Sequence, residues 1–201
     1  EREARCGLDE YAEMLRRAER AVLDVAGARR LHQVTYCMSA TLALHAYQRD
    51  RAPHVASMAL IAPAVDFAVP GGFQRVMSHP LLPPAFLLDH HGGVPADVVR
   101  EAFHGLRPQA ISALRLRIAR RRDTEYREFY AGMARWAWTH RWLPGSLFFD
   151  IVDLYRSNRL VASNVVAQID VPMLVVIAER DHIVPSGSSR ALLRNPRAEA
   201  I

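Results

Sequence analysis

The sequence predicts an α/β fold built on a mostly parallel sheet, on three observations. Two short apolar runs, residues 55–65 and 171–178, are dense in branched aliphatic side chains and lack polar alternation, the pattern of strands covered on both faces. Strand-like and helix-like segments alternate over the first 65 residues. Half of the 201 residues are hydrophobic and 23% are charged, with no low-complexity stretch, which excludes a disordered, collagen-like or repeat chain.

The elements follow in order. Leu8, Tyr11, Leu15, Ala18, Val22 and Val25 recur in steps of three and four, laying one apolar stripe along a helix over residues 8–25. Asp9 and Glu10 suit its N-terminal dipole, and Gly27 stops it. A β-like run at residues 32–37 meets a second helix at 39–49 through a sharp turn. The next strand follows, centred on Met58, Ala59, Leu60 and Ile61. Strand, turn, helix, strand implies parallel pairing through a crossover. Residues 70–95 are punctuated by Pro70, Gly71, Gly72, Pro80, Pro83, Pro84, Gly92, Gly93 and Pro95, and read as a linker into an insertion. Residues 96–158 are mostly helical and rich in aromatic side chains, as a cap over a site would be. A last strand at 171–178 tolerates Pro172 near its first residue and runs into Glu179-Arg180-Asp181. The chain therefore divides into a partial core, residues 1–69 and 159–201, and a linker with a helical cap, residues 70–158.

Charge and composition narrow the function classes. The 26 basic residues, all arginine, exceed the 21 acidic ones to give +5, but the excess is spread along the chain. Its densest group, Arg115, Arg117, Arg120, Arg121 and Arg122, reads as a solvated helix face, although guanidinium groups also suit phosphates. No nucleic-acid motif or base-stacking aromatic pattern accompanies it, so nucleic acid is not an expected partner. No apolar run approaches the roughly 20 residues of a spanning helix, and no membrane span is expected. His90 and His91 beside Asp89 read as loop residues without metal-ligand spacing, and no metal site is expected. Cys6 and Cys37 lie in contexts that do not suggest a pair, which fits a reducing, cytoplasmic setting.

Cys37 is the nucleophile candidate. It stands where a strand meets a helix, so a tight turn forces it outward. The N–H of Met38 and the helix N-terminus face the same space, favouring a thiolate and an oxyanion. Such an elbow needs small neighbours two positions before and after, and Thr35 and Ser39 are small. An acid is expected just after a late strand, where Asp181 lies. Asp66, after the strand that follows the elbow, is the alternative acid.

Together these residues resemble the polyhydroxyalkanoate (poly-β-hydroxybutyrate) synthase family, cysteine-dependent members of the α/β-hydrolase fold. The landmarks run in family order through Leu8-Asp9-Glu10-Tyr11, residues 35–41, Val65-Asp66-Phe67-Ala68-Val69-Pro70-Gly71, and residues 136–145. They continue through residues 154–161 and Glu179-Arg180-Asp181-His182-Ile183-Val184-Pro185. The resemblance implies an α/β-hydrolase fold with a helical cap insertion, its sheet incomplete in this chain. It also implies an acyltransferase that polymerises hydroxyacyl groups from hydroxyacyl-coenzyme A through a thioester on Cys37. Asp181 would be the acid that orients or assists a histidine, the Met38 N–H an oxyanion donor, and His182 a support beside the acid. No cofactor is expected to be bound; the partners implied are hydroxyacyl-coenzyme A, a growing polyester chain, and a second copy or a partner subunit. The expected location is the cytoplasm, with the polymer granule surface a further site.

The sequence departs from the family pattern. Thr35, Ser39 and Ala40 stand where the family carries glycine, no histidine follows His182, and the family's early strands would precede Leu8. A fragment or divergent member is therefore expected, with its general base beyond residue 201 or missing. The alternatives are a thioesterase using the same cysteine and a non-catalytic relative acting as a granule-binding or partner subunit.

Overall fold

A computed structural model of the protein describes residues 3–81, 84–106, 108–120 and 123–201. Helix α1 (Leu8–Ala26) begins where the N–H of Leu8 donates to Asp150 at 2.7 Å and the N–H of Gly7 to Glu10 at 2.8 Å. It ends at Gly27, whose φ of 60° closes the last turn in the left-handed region glycine favours.

The buried face of α1 follows the predicted stripe only at its start. Leu8 is buried and Tyr11 and Leu15 are half-buried, but Ala12, Arg16 and Glu19 face inward, while Val22 and Val25 are 57% and 92% exposed. A paired charge network explains the rotation. Arg16 donates to Glu19 at 2.8–2.9 Å and to the Asp50 carbonyl at 3.0 Å, and Glu19 also binds His54 at 2.8 Å and Gln33. Buried charges persist only when paired and hydrogen-bonded, and these are.

The main sheet has four parallel strands, β1 (Leu31–Tyr36), β2 (Val55–Ile61), β5 (Met173–Val176) and β6 (Ala198–Ala200), in the order β1-β2-β5-β6. Helix α2 (Met38–Arg49) carries the chain from β1 to β2. Leu44 and Tyr47 of α2 pack with Met58, Leu60, Met173 and Val175 to form the main core. The apolar runs read as covered on both faces are covered on one. Val34 and Leu174, paired in register through Ala59 on the opposite face, are 73% and 39% exposed.

Between β2 and β5 lie α3 (Gly72–Met77), α4 (Ala96–Leu106), α5 (Pro108–Arg120), α6 (Thr124–Trp138), α7 (Gly145–Ser157) and α8 (Arg159–Ala162). Strands β3 (Gly93–Val94) and β4 (Leu143–Pro144) pair antiparallel, so α4 to α6 form an excursion that leaves and returns at one point. Asp89 braces that junction, accepting from Trp142 Nε1 at 2.9 Å and from the N–H groups of His91 and Gly93. Helix α9 (Ser186–Arg190) precedes β6. Among the described residues no helix is long and apolar enough to cross a membrane.

Candidate active site

Strand β1 ends at Tyr36 and α2 starts at Met38, leaving Cys37 alone to make the turn, with φ 55° and ψ −124°. A side chain with a Cβ in this region costs on the order of 1–3 kcal/mol and persists only when its surroundings hold it. Here both neighbouring elements hold it. The Cys37 N–H donates to the Ile61 carbonyl at 2.8 Å, and its carbonyl accepts from the Ala40 N–H at 3.0 Å.

The elbow forms with a Cβ at all three positions where glycine was the family expectation. Ala40 is fully buried in the core and Thr35 is half-buried. The Ser39 hydroxyl accepts from the Tyr36 N–H and donates to the Tyr36 carbonyl, both at 2.8 Å, a brace across the turn that glycine lacks.

Burial pushes the Cys37 thiol above its ordinary value; the Met38 N–H, hydrogen-bonded to it, pulls the other way, and the negative charge of Asp181 adds to the rise. That same charge reaches Tyr36, whose phenol is raised by burial, then by Cys37, then by Asp181. Met38 thus hydrogen-bonds the Cys37 thiol, while Asp181 acts on it through charge and makes no hydrogen bond to it among the described residues. Asp181 is fixed by its own turn, with Oδ1 accepting from the N–H groups of Ile183 at 2.8 Å and Val184 at 3.1 Å. His182 is half-buried and hydrogen-bonds neither Asp181 nor Cys37 among the described residues.

Asp66 is placed differently. Its Oδ1 accepts from the Ala68 N–H at 3.1 Å and Asn158 Nδ2 at 2.9 Å, while Asn158 Oδ1 accepts from the Phe67 N–H at 2.9 Å. This clasp fastens the loop after β2 to the junction of α7 and α8, where Asn158 takes a φ of 50°. Asp66 is not among the groups that shift Cys37.

Cys37 and Met38 open onto a cavity of about 260 Å³, walled by Ile183 and Val184 from the loop after β5 and by side chains of α3, α4 and α7. Its lining is almost wholly apolar; among the described residues, Cys37 and Tyr155 are its only side chains with a polar hydrogen. Tyr155 packs edge-on against Phe67 with ring centroids 4.8 Å apart. Its phenol is pushed up to about 12, first by burial and then by Cys37. Sequence reasoning noted Tyr155 as a landmark and gave it no role. The available signal was its register, since Phe148, Ile151 and Tyr155 fall in steps of three and four on one face of α7.

The remaining candidates lie apart from the cavity. Arg117 and Arg120 are exposed, and Arg121 and Arg122 fall outside the described residues. No disulfide joins Cys6 and Cys37. The His90 and His91 ring centroids lie 3.8 Å apart with the planes tilted by 43°, in the loop braced by Asp89, and no group of three His, Cys, Asp or Glu side chains placed to hold a metal ion occurs among the described residues.

No protein-family model matches the chain. The poly(3-hydroxyalkanoate) polymerase subunit PhaC of Haloarcula marismortui is 24% identical over 181 residues, covering 84% of this chain and 38% of that protein. A hydrolase from Pseudomonas aeruginosa PA01 superposes with a TM-score of 0.59 at 15% identity, covering 97% of this chain and 63% of that one. A monoacylglycerol lipase from Paleococcus ferrophilus gives 0.50 at 13% identity, covering 98% and 65%. The chain has the α/β-hydrolase fold and spans less than two thirds of the length of each of these proteins.

Proposed function

We propose that the protein is a cysteine-dependent acyltransferase of the polyhydroxyalkanoate synthase type, acting on hydroxyacyl-coenzyme A. The observation that carries this reading is Cys37 held at a positive φ on a strand–helix turn, opening into an apolar cavity with the charge of Asp181 in reach. The similarity to the Haloarcula polymerase subunit supports the same chemistry.

In the proposed cycle the Cys37 sulfur, having given up its proton, attacks the carbonyl carbon of the thioester. The bond from that carbon to the coenzyme A sulfur breaks, coenzyme A leaves as the thiol with the proton, and the acyl group is held on Cys37. The hydroxyl oxygen of a growing chain then attacks the carbonyl carbon of the new thioester; the bond from that carbon to the Cys37 sulfur breaks, an ester bond forms, and the hydroxyl proton returns to the sulfur. The developing oxyanion is met by the Met38 N–H at the start of α2. Because burial holds the Cys37 proton on, deprotonation is the step for which the site needs a base, and Asp181 is the residue that would orient one. The apolar lining suits the carbon chain of the acyl group and excludes water that would compete as acceptor. The reaction belongs in the cytoplasm, at the surface of the growing polymer, with a second copy or a partner subunit as further associates.

The test is to supply 3-hydroxybutyryl-coenzyme A and follow free thiol. The expected outcome is release that disappears in Cys37→Ala, with ester-linked product accumulating. Release with only free acid accumulating would make the protein a thioesterase. Silence from the chain with intact folding would leave it a binding relative.

A further inference from the structure

The cavity poses a chemical question that the nucleophile does not answer. Its wall is built from residues such as Phe73, Val94, Val98, Phe148 and Ile151, yet Tyr155 places a phenol among them. Tyr155 is half-buried, and a tyrosine hydroxyl on an apolar wall is a donor that a ligand's oxygen can take up. The Tyr155 hydroxyl has no hydrogen-bond partner among the described residues; only its backbone carbonyl is engaged, by Ser78. The ring is also fixed, edge-on against Phe67 and in the same packed cluster as Cys37, so the hydroxyl is held in place by packing and not by a partner. A fixed, unpaired donor on an otherwise oily wall suits a ligand that is mostly hydrocarbon and carries one oxygen at a set place.

We propose that Tyr155 is the specificity-determining residue of the cavity, donating a hydrogen bond to the hydroxyl of a hydroxyacyl chain and so distinguishing it from a plain acyl chain. This rests on the acyl-transfer reading for the position of the thioester. The carbonyl oxygen attacked by Cys37 is drawn to the Met38 N–H at the elbow, and Tyr155, arriving on α7, meets the second oxygen further along the chain. Burial and the neighbouring Cys37 keep the phenol protonated through the physiological range, so it remains a donor.

The experiment separates binding from chemistry. Calorimetric titration of the Cys37→Ala protein with 3-hydroxybutyryl-coenzyme A and with butyryl-coenzyme A is expected to show a preference of roughly tenfold for the hydroxylated thioester. Adding Tyr155→Phe, which keeps the ring on Phe67, is expected to abolish that preference while leaving butyryl-coenzyme A binding within about twofold. No preference in Cys37→Ala, a preference that survives Tyr155→Phe, or an equal loss for both ligands would each overturn the assignment. A wild-type chain that discriminates in binding but releases no thiol would sink the acyl-transfer reading and leave Tyr155 in place; thiol release without discrimination would do the reverse.

Discussion

At Cys37 two opposing influences meet on one sulfur. Burial and the charge of Asp181 favour the neutral thiol, and the Met38 N–H favours the anion; the net direction is upward. Alkylation by iodoacetamide should therefore titrate with a midpoint above that of an ordinary thiol, and Asp181→Asn should move the midpoint down by removing a repelling charge. A midpoint unmoved by Asp181→Asn would separate the two residues electrostatically. The linkage has a definite sign. The native state holds the proton more tightly than the unfolded chain, so this group's contribution to stability is full below the unfolded thiol's pKa. It is lost as pH rises through the native one. The positions of Cys37 and Asp181 were legible because each follows a strand whose apolar run marks its end, and strand ends set the sheet edge where a site forms. The exposure of Tyr155 to the same cavity was not legible, because it depends on how α7 packs across the sheet edge, and a tyrosine in an apolar stripe is equally a core residue in sequence.

Whole elements show where local pattern stops being informative. The prediction for α1 assumed that charged residues face water, and Arg16 and Glu19 reverse that assumption because they satisfy one another and tie the helix to Gln33 and His54. Removing one partner should be far more costly than a surface ion pair. Glu19→Ala leaves the Arg16 guanidinium buried and unpaired, and urea denaturation should register a loss of about 3–5 kcal/mol. A loss under about 1 kcal/mol would show that water replaces the carboxylate. The exposed pair Arg17 and Glu13, 4.0 Å apart on the same helix, serves as the control and should matter little. Strands β2 and β5 were legible from their apolar runs, and β1 from the β-like segment that precedes the turn at Cys37. Strand β6 was not, since three residues ending in the exposed Glu199 and Ala200 carry no pattern and owe their conformation to pairing with β5. The same holds for β3 and β4, two residues each, whose partners lie some 50 positions apart in the chain.

Across the whole molecule, the paired strands β3 and β4 set where the helical excursion joins α7, which lines the cavity. Helices α4 to α6 depart after β3 and return before β4, and α7, which carries Phe148 and Tyr155 to the cavity, starts immediately beyond. Packing at this junction leaves no room for a side chain. A Cβ at Gly93 would stand 2.1 Å from the Trp142 ring and 2.7 Å from the Leu143 carbonyl, and one at Gly145 would stand 2.2 Å from the Gly92 carbonyl. Backbone on the far side cannot yield as a flexible side chain would, so the strain must be relieved by parting β3 from β4. Gly93→Ala is therefore expected to cost roughly 1–3 kcal/mol, as overpacking generally does, and to loosen the cavity roof before the core. Trp142 reports the event directly, because its indole N–H is held by Asp89 beside the substituted position. Tryptophan fluorescence should shift to the red, and iodoacetamide should reach Cys37 faster, while the circular dichroism of the helices and the parallel sheet is retained. Equal loss of all three signals in a single transition would mean instead that the roof and the sheet fold as one unit, and that the cavity cannot be opened without unfolding the structure beneath it.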